Sequence, residues 1–300
     1  YLPPMTILLT GAGGQVGREI QRQANQAGTS LVSMLRGQLD ITDPDAVQQV
    51  VQKTRPGIIV NAAAYTAVDK AEDEPENAFR INRDGAANLA KAAAEAGIPL
   101  IHLSTDYVFD GASSRPYAES DPTSPIGVYG NSKWEGEEAV RQNLSQHLIV
   151  RVSWVFGVYG HNFVKTMLRL ARERDTLRVV ADQTGGPTYA GHIADLLLDL
   201  YRRIAAGEPI GWGTYHFCGR PVTNWHAFAE AIVRSGRRIR LIDHPVTIDA
   251  ITTADYPTRA RRPANSALDC RKLETAFARA PQAWQAGLDD MLARIAREDI

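Results

Sequence analysis

Short apolar runs alternate with longer stretches of helical periodicity along most of the chain. Residues 7–9 form the first apolar run, as expected of a strand buried on both faces of a parallel sheet. Val16, Ile20 and Ala24 then recur at helical spacing. The pattern predicts further strands at residues 31–35, 58–60, 100–103, 148–152, 177–181 and 214–218, with helices near 44–53, 71–96, 134–142, 162–172, 192–203 and 225–234. This alternation predicts an α/β protein with a parallel sheet.

A few residues mark element boundaries within that pattern. Asp43 is a suitable N-cap, and Pro44 suits the first position of the helix that follows. Gly97 is expected to end the helical stretch before it. Residues 110–127 are rich in Pro, Ser, Asp and Gly, and we expect a long loop that acts as a functional lid.

A glycine-rich turn connects the first predicted strand to the first predicted helix. The segment TILLTGAGGQVG places Gly11, Gly14 and Gly17 at three-residue spacing. Glycines let the backbone approach a pyrophosphate, and the N–H groups and dipole of a helix N-terminus favour its charge. The turn therefore predicts a dinucleotide site in a Rossmann-type doubly wound parallel sheet. Three glycines are also compatible with a tight turn that binds nothing.

The ends of the next two strands bear on the cofactor. The residue directly after position 35 is not acidic. A carboxylate at that position would bind a ribose 2′-hydroxyl and repel a 2′-phosphate. Arg36 stands there and could receive a phosphate, so NADPH is permitted and favoured, although such an arginine is often simply solvated. Ala62, Ala63 and Ala64 leave room for a flat ligand or for close packing of a helix on the sheet.

Polar residues that could carry chemistry follow the fourth strand. Ser104, Thr105 and Asp106 place hydroxyls and a carboxylate at the ligand edge of the sheet. Tyr129 and Lys133 lie four residues apart, and therefore on one helix face; no other tyrosine in the chain has this partner. A nearby ammonium lowers the pKa of a phenol and can bind a ribose hydroxyl. We predict an acid and its partner, with Thr105 holding the substrate oxygen, although this spacing alone is more often structural.

Composition excludes several classes of function. A formal net charge of -1 gives no electrostatic case for nucleic acid or an anionic membrane as partner. No apolar run approaches membrane-spanning length and no signal peptide precedes the first strand, so we expect a cytoplasmic protein. Cys218 and Cys270 lack metal-ligand spacing and are expected to be reduced, with a disulfide left open. Residues 1–4 resemble a remnant of expression cloning and are excluded from the predicted fold.

Two features of the second half could contact a substrate. Trp154 lies just beyond the strand at 148–152, where an aromatic ring could cover a sugar or belong to the core. Arg259, Arg261 and Arg262 lie in a proline-flanked loop. Arginine forks suit phosphate oxygens, but exposed basic loops are also common. The seven histidines show no metal-ligand spacing.

Together these segments resemble the extended short-chain dehydrogenase/reductase family. TGAGGQVG is similar to its TGxxGxxG turn, NAAA to its third strand end, STDYVFDG to its Ser/Thr strand and YGNSK to its YxxxK pair. Within that family the likeness is greatest to the branch that reduces dTDP-4-dehydro-β-L-rhamnose. Segments similar to that branch include LDITDP, NAAAYTAVDKAE, SPIGVYGNSKWEGE, RVSWVFG, NFVKTMLRLA, DQTGGPTYA and RPANSALD. They run in the family's order from Thr6 to Asp269, so the resemblance covers nearly the whole chain.

The resemblance implies a role for each matching residue. Tyr129 is expected to be the catalytic acid, Lys133 its partner, and Thr105 the hydroxyl that tunes and positions the substrate carbonyl. Asp106 and Trp154 match positions that contact the deoxysugar nucleotide. On pattern or resemblance, the positions expected to line the cofactor are Gly11, Gly14, Gln15, Val16, Gly17, Arg36, Asp40, Ile41, Ala63, Ala64, Tyr65, Thr66, Leu103, Tyr129 and Lys133.

A dTDP-sugar brings a pyrophosphate of its own, which the glycine-rich turn cannot hold while a dinucleotide occupies it. A second, local anion site is therefore expected, because the net charge is close to zero. We predict that Arg259 and Arg262 bind the substrate there, with Asn265 and Ser266 as neutral donors nearby.

The implied reaction is hydride transfer from NADPH or NADH to C4 of dTDP-4-dehydro-β-L-rhamnose, giving dTDP-β-L-rhamnose. We expect a Rossmann domain at residues 5–155 and a mainly sugar-nucleotide-binding lobe at 156–300, with segments near 176–205 returning to the first domain. A monomer or a homodimer is expected. Some family members carry a magnesium-linked dimer contact; Glu19 matches an early ligand, but Gly191 stands in place of a later glutamate. A metal-bridged dimer is therefore doubtful here.

Two other functions stay open on the sequence. One is a non-catalytic NADP-binding regulatory subunit, similar to the methionine adenosyltransferase β subunit. The other is a nucleotide-sugar epimerase or dehydratase. Intact Thr105, Tyr129 and Lys133 favour catalysis. A dehydratase of this family usually carries acidic residues beside the catalytic threonine, whereas only Asp106 is present here.

Overall fold

Six parallel strands form the main sheet of the protein. The computed structural model describes residues 5–298, so residues 1–4, excluded above, lie outside the described part. Strands β1 to β5 are Ile7–Thr10, Leu31–Met34, Ile58–Asn61, Leu100–Thr105 and His147–Val152. Helices α1 to α6 are Gln15–Gln26, Pro44–Thr54, Val68–Ala71, Pro75–Phe79, Gly85–Ala96 and Val128–Asn143.

The second half contains shorter strands and five helices within the described residues. Strands β6 to β12 are Val155–Phe156, Thr176–Val180, Thr184–Gly185, Thr188–Tyr189, Gly213–His216, Thr223–Asn224 and Thr247–Ile251. Helices α7 to α11 are Phe163–Glu173, Ala190–Ala205, Trp225–Arg238, Arg271–Phe277 and Trp284–Glu298. None of the helices between residues 5 and 298 has the length and apolar composition that a membrane span requires.

The strand order of the main sheet is β10, β5, β4, β3, β1 and β2, with every neighbouring pair parallel. The chain winds outward in one direction from β1 to β2 and in the other from β3 onward. A crevice therefore opens at the carboxyl ends of β1 and β3, where Thr10 is paired with Asn61. The predicted α/β fold with a doubly wound parallel sheet is confirmed.

Each face of the sheet is covered, which explains the continuous apolar runs of its strands. On one face, Ile7 and Leu9 belong to a core that includes Ile20 of α1 and Leu197 of α8. On the other face, Leu8 packs in a core with residues of α2, α5 and α6. A third core, built mainly from α7, α9, α11 and β7, lies beyond the sheet. Both α8 and β10, although late in the chain, therefore belong by packing to the sheet.

Several predicted helix ends are confirmed by the structure, whereas one predicted helix is interrupted. The Asp43 side chain caps α2 by accepting from the N–H groups of Asp45 and Ala46, and Gly97 ends α5 with φ 65°. The predicted helix at 71–96 is interrupted, because Pro75 starts a new helix and residues 80–84 form a wider π-helical turn. The predicted lid at 110–127 is a loop of irregular structure, pinned by a bridge between Tyr117 and Leu268.

Candidate active site

The glycine-rich turn lies at the carboxyl ends of β1 and β3. Gly11 has φ 72°, and a Cβ there would overlap the backbone of Ala62 and Ala63. A Cβ at Gly17 would overlap the carbonyl oxygen of Gly11. The N-cap of α1 is Gly14, and no described side chain caps it, so the first N–H groups of the helix face the turn. This cradle fits a dinucleotide pyrophosphate, because the ligand can approach the backbone and meet unpaired donors.

The remaining residues expected to line the cofactor follow the carboxyl ends of β1 to β4. Arg36 is exposed just after β2, and the exposed Asp40 accepts hydrogen bonds from the Thr42 N–H at 3.0 Å and hydroxyl at 2.8 Å. Ile41 is buried in the core under Gly85. Half-buried positions among them are Gln15, Val16, Ala63, Ala64, Tyr65 and Leu103, whereas Thr66 is exposed. Their roles toward a cofactor stay predictions.

Tyr129 and Lys133 share one face of α6, beside the end of β4. Tyr129 is half-buried, and its ring meets the ring of Tyr107 edge-on at a centroid distance of 5.4 Å. Lys133 is buried, and its Nζ donates to the carbonyl oxygen of Leu103 at 2.7 Å. The lysine is therefore anchored to the strand that presents the hydroxyl groups of the site.

Thr105 ends β4 next to the tyrosine. Its Oγ1 donates to Asp106 Oδ1 at 3.1 Å. Burial raises the pKa of the Tyr129 phenol above its ordinary value of 10.0, while hydrogen bonding with the Thr105 hydroxyl opposes the rise. The expected lowering by Lys133 is not met: burial raises this pKa, and the charges of Asp106 and Tyr107 add to the rise. Burial also lowers the pKa of Lys133 to about 8, against the negative charge of Glu137.

Asp106 is buried and incompletely bonded. Its Oδ2 has no hydrogen-bond partner among the residues that the structure describes. Burial raises the pKa of this carboxyl to about 6, while hydrogen bonds with the Ser266 and Thr105 hydroxyls lower it. A buried carboxylate oxygen without a partner is costly, so it marks a place where a ligand hydroxyl could donate.

The two arginines predicted to bind substrate have different surroundings. Arg262 is 20% exposed; its Nη2 donates to Asp69 at 2.6 Å, and its buried Nη1 has no partner in the described part of the chain. Its charge also lowers the pKa of the Tyr107 phenol, which burial raises. Arg259 is 65% exposed and pairs with Asp73 at 2.7 Å. Arg262 therefore keeps a donor that a ligand could use, whereas Arg259 is engaged at the surface.

Trp154 lies beyond β5 with its backbone in the left-handed region, at φ 46°. Its ring stacks on Trp225 at a centroid distance of 3.6 Å and an interplanar angle of 10°. A Cβ at Gly185 would overlap the same indole ring. One face of the predicted substrate-contacting ring is therefore covered by a second tryptophan, which the sequence did not indicate.

A buried charged cluster lies behind Lys133, and it was missed in the sequence. Glu137 is fully buried and accepts hydrogen bonds from Ser104 of β4 and from Arg151 of β5. Glu137 follows Lys133 by one helical turn, so extending the four-residue spacing of the tyrosine and lysine could have found it. Arg151 stands in an otherwise apolar strand and gave only a weak signal.

Glu19 and Gly191 are the two positions discussed for a magnesium-linked dimer contact. Glu19 is fully buried and paired with Arg22 at 2.9 Å and Arg294 at 2.6 Å. A Cβ at Gly191 would contact the Tyr189 ring. Within residues 5–298, no group of three or more His, Cys, Asp and Glu side chains could hold a metal ion.

The two cysteines meet although 52 residues separate them. The Sγ atoms of Cys218 and Cys270 lie 3.8 Å apart, and both residues are buried. Both are free thiols, as expected from the sequence.

Comparisons with known proteins agree with this geometry. Residues 5–297 match the family model described as the RmlD substrate binding domain. A dTDP-4-dehydrorhamnose reductase of Aggregatibacter actinomycetemcomitans is 46% identical over 288 residues, which are 96% of this chain and 98% of that protein. A dTDP-4-dehydrorhamnose reductase of Bacillus anthracis, solved with NADP, superposes with TM-score 0.89 at 36% identity, covering 97% and 100% of the two chains. A UDP-glucose 4-epimerase of Thermus thermophilus, at TM-score 0.80 and 18% identity over 99% and 100%, shares the fold.

Proposed function

The chain belongs to the family of the RmlD substrate binding domain, and on that premise we propose that it reduces the C4 keto group of dTDP-4-dehydro-β-L-rhamnose to give dTDP-β-L-rhamnose, with NAD(P)H as cofactor. One observation carries the proposal. Thr105, Tyr129 and Lys133 gather at the end of β4, beside the glycine cradle, in a chain that is 46% identical to a reductase of that name. The reaction is the last step in the formation of dTDP-rhamnose.

The glycine cradle and the strand ends would hold NAD(P)H, which when bound supplies the hydride that adds to C4. Tyr129 donates its phenol proton to the C4 oxygen as the alcohol forms. Burial raises the pKa of this phenol, so the phenol carries its proton at neutral pH. Thr105 orients the same substrate oxygen through its hydroxyl. A general acid of this kind is worth roughly 10²–10⁴ in rate.

The substrate contacts proposed for the sugar nucleotide lie around the same edge. The unpartnered Oδ2 of Asp106 would accept a hydrogen bond from a sugar hydroxyl, and the unpartnered Nη1 of Arg262 would donate to a phosphate oxygen. Trp154 would contact the sugar with the part of its ring that Trp225 and Gly185 leave uncovered. Arg259 is the weakest member of this proposed set, because it is exposed and already paired.

We further propose that residues 5–155 form the cofactor-binding domain and that 156–300 contribute mainly to sugar-nucleotide binding. The separate core of α7, α9, α11 and β7 supports a second lobe. Of the segments near 176–205 expected to return to the first domain, helix α8 at 190–205 packs in the sheet core, whereas β7 at 176–180 pairs with β12 and packs in the second core. Strand β10 also joins the main sheet and supports a return of the chain.

The other two functions receive less support. A regulatory subunit would not need the buried Lys133 anchor beside an acid and a hydroxyl. The epimerase neighbour shares the fold at 18% identity, a level that carries no argument about its reaction.

The direct test is an assay with purified protein, NADPH and enzymatically generated dTDP-4-dehydro-β-L-rhamnose. We expect loss of NADPH absorbance together with formation of dTDP-rhamnose, identified by chromatography and mass spectrometry. Tyr129→Phe should lower kcat by at least about a hundredfold, within the range of general-acid catalysis, while NADPH affinity persists.

Tyr201→Phe is the matched control for that substitution. The Tyr201 hydroxyl bonds to the Met5 carbonyl oxygen at 2.5 Å, on α8 and away from the site, so this variant should keep its activity. Near-native turnover by Tyr129→Phe would show that another group supplies the proton. Binding of NADPH without turnover by the unaltered protein would favour the regulatory subunit.

A further inference from the structure

The face of α6 that carries Tyr129 and Lys133 continues inward to a third ionisable residue. Glu137 lies one turn beyond the lysine, and its side chain is 0% exposed. Residues spaced by four on a helix lie one above the other, so the three side chains line one path from the cleft into the protein.

The Glu137 carboxylate is fully occupied by donors. Its Oε1 accepts from Ser104 Oγ at 2.6 Å and from Arg151 Nε at 2.8 Å. Its Oε2 accepts from Arg151 Nη2 at 2.6 Å and from Arg141 Nη2 at 2.8 Å. Although burial raises its pKa, the hydrogen bonds and charge of Arg151, with Arg141 and Ser104, hold the pKa of Glu137 at about 2. The carboxylate is therefore charged at every pH at which the protein would work.

The cluster around Glu137 is hydrogen-bonded to the end of β4, which carries the Thr105 hydroxyl. Ser104, which donates to Glu137, stands between Leu103, whose carbonyl oxygen accepts from Lys133 Nζ, and Thr105. A shift of Glu137 would therefore move the anchor of the lysine and the Thr105 hydroxyl together.

The charges that face Lys133 come from several elements. On its own helix lie Glu137 and the partly exposed Arg141, and on β5 lies Arg151. His102 on β4 and His216 on β10 are neutral, because burial lowers the pKa of both, to about 3 for His216.

Two further titratable groups lie on the ligand side, the Tyr129 phenol and the Asp106 carboxyl. Of the groups facing the lysine from inside the protein, Glu137 is the one that carries negative charge. Its charge raises the pKa of Lys133 and so opposes part of the lowering that burial causes.

A purely structural purpose does not explain such a cluster well. Burying charged groups is expensive, and apolar residues of similar volume often stabilise a protein as well as a buried ion pair does. An effect on Lys133 explains it better, because a fixed carboxylate one helical turn away favours the charged form of a buried ammonium.

We propose that Glu137 is a positioning residue of the active site: it keeps Lys133 charged and holds the strand end of Leu103, Ser104 and Thr105 in place, with Arg151 as its counter-charge. This inference rests on the proposed reductase function for its catalytic meaning. The electrostatic part stands on the protein alone. Lys133 remains the residue that would touch cofactor and substrate groups, and Glu137 acts through it.

The sign of the effect can be tested with two opposite substitutions. Glu137→Gln removes the negative charge and leaves the arginines uncompensated, so the pKa of Lys133 should fall by about one unit or more. Arg151→Met removes a positive charge and leaves Glu137 in excess, so the pKa of Lys133 should rise. The six lysines can be followed by NMR of ¹³C/¹⁵N-lysine-labelled protein without cofactor or substrate, with Lys133→Met to assign the signal.

The same two variants should shift the pH dependence of kcat/KM in opposite directions. The alkaline limb of kcat/KM, which reports the coupled Tyr129 and Lys133 groups, should move to lower pH in Glu137→Gln and to higher pH in Arg151→Met. Glu137→Asp keeps the charge and should restore the limb toward its original position. A structural defect would lower activity at all pH values without moving the limb in opposite directions.

A milder variant keeps the test decisive if these proteins do not fold. Arg141 is 29% exposed, so Arg141→Met should be tolerated, and it should raise the pKa of Lys133 at low ionic strength, by less than Arg151→Met does. An unchanged pKa of Lys133 in every variant that folds would overturn the proposal. Because the NMR titration needs no substrate, a failure of the reductase assay with the unaltered protein would refute the proposed function and leave this result standing.

Discussion

The glycine-rich turn and the arginine loop at 259–262 are both expected to hold phosphates, and they are built in different ways. The turn presents backbone N–H groups at the start of α1, where no described side chain competes for them. The loop presents guanidinium groups, and Arg259 and Arg262 are each paired with a carboxylate, Asp73 and Asp69. The turn therefore offers unpaired donors to an anion, whereas the positive charge of the loop is partly neutralised by its own carboxylate partners.

The glycine-rich turn is recognisable in the sequence, and the arginine site is not, because the two sites are built from different parts of the chain. The turn is made within 12 residues by sterics that only glycine satisfies, so its spacing is visible in the sequence. The loop depends on acidic partners almost 200 residues earlier in the chain. Its two arginines, only three positions apart, end in different environments, one partly buried with a spare donor and one exposed.

The largest effect is expected when a side chain fills the glycine-rich turn. In Gly17→Ala the new Cβ would overlap the Gly11 carbonyl oxygen and the Ala12 Cα, and neither backbone atom can give way cheaply. We expect NADPH affinity to fall by up to about a hundredfold or somewhat more, since overpacking of this kind costs roughly 1–3 kcal/mol and sometimes more. Isothermal titration with NADPH measures the effect.

Gly37→Ala is the matched control for the turn, because a Cβ there meets nothing within 4 Å. It should bind NADPH as the unaltered protein does. Equal affinities for all three proteins would mean that the turn is not the cofactor cradle.

The next effect in size should separate the two arginines. Arg262→Ala removes a charge-assisted contact worth roughly 1.5–3 kcal/mol, so affinity for dTDP-rhamnose should fall about ten- to a hundredfold. Arg259 is exposed and already paired with Asp73, and an exposed charge contact contributes only about 0.2–1 kcal/mol, so Arg259→Ala should change that affinity by less than about fivefold. NADPH affinity should persist in both. Titrations with dTDP-rhamnose and NADPH check this. Equal losses of dTDP-rhamnose affinity in both variants would show that the two arginines bind the sugar nucleotide together.

The smallest effect concerns the side chain that supplements the backbone cradle. Arg36 is exposed after β2, and no carboxylate follows this strand directly. We expect kcat/KM with NADPH to be at least as high as with NADH, and Arg36→Ala to lower only the NADPH value, by about fivefold or less, as for an exposed charge contact. A strong preference for NADH in the unaltered protein would contradict this reading.

Local sequence was sufficient where structure depends on neighbours in the chain. The apolar run at 7–9, the Asp43 cap and the Gly97 end all follow from nearby residues, and each is found in the structure. The same holds for the shared helix face of Tyr129 and Lys133.

Features that depend on residues far apart in the chain could not be predicted from the local sequence. The strands β6, β8, β9 and β11 have two residues each, which is too short for a pattern to emerge. The donors around Glu137 come from three different elements. The pKa of Tyr129 depends on its burial, which spacing alone does not reveal.

The stacking of Trp154 on Trp225 gives the protein a built-in optical label. Two indoles held 3.6 Å apart and nearly parallel are close enough to exchange excitation energy, so the fluorescence emission of each depends on the other. One belongs to the loop after β5 and the other opens α9, so the pair joins the sheet to the second core. A sugar nucleotide that displaces Trp154 would change the colour and yield of this emission, and the arrival of substrate could be watched without attaching a dye.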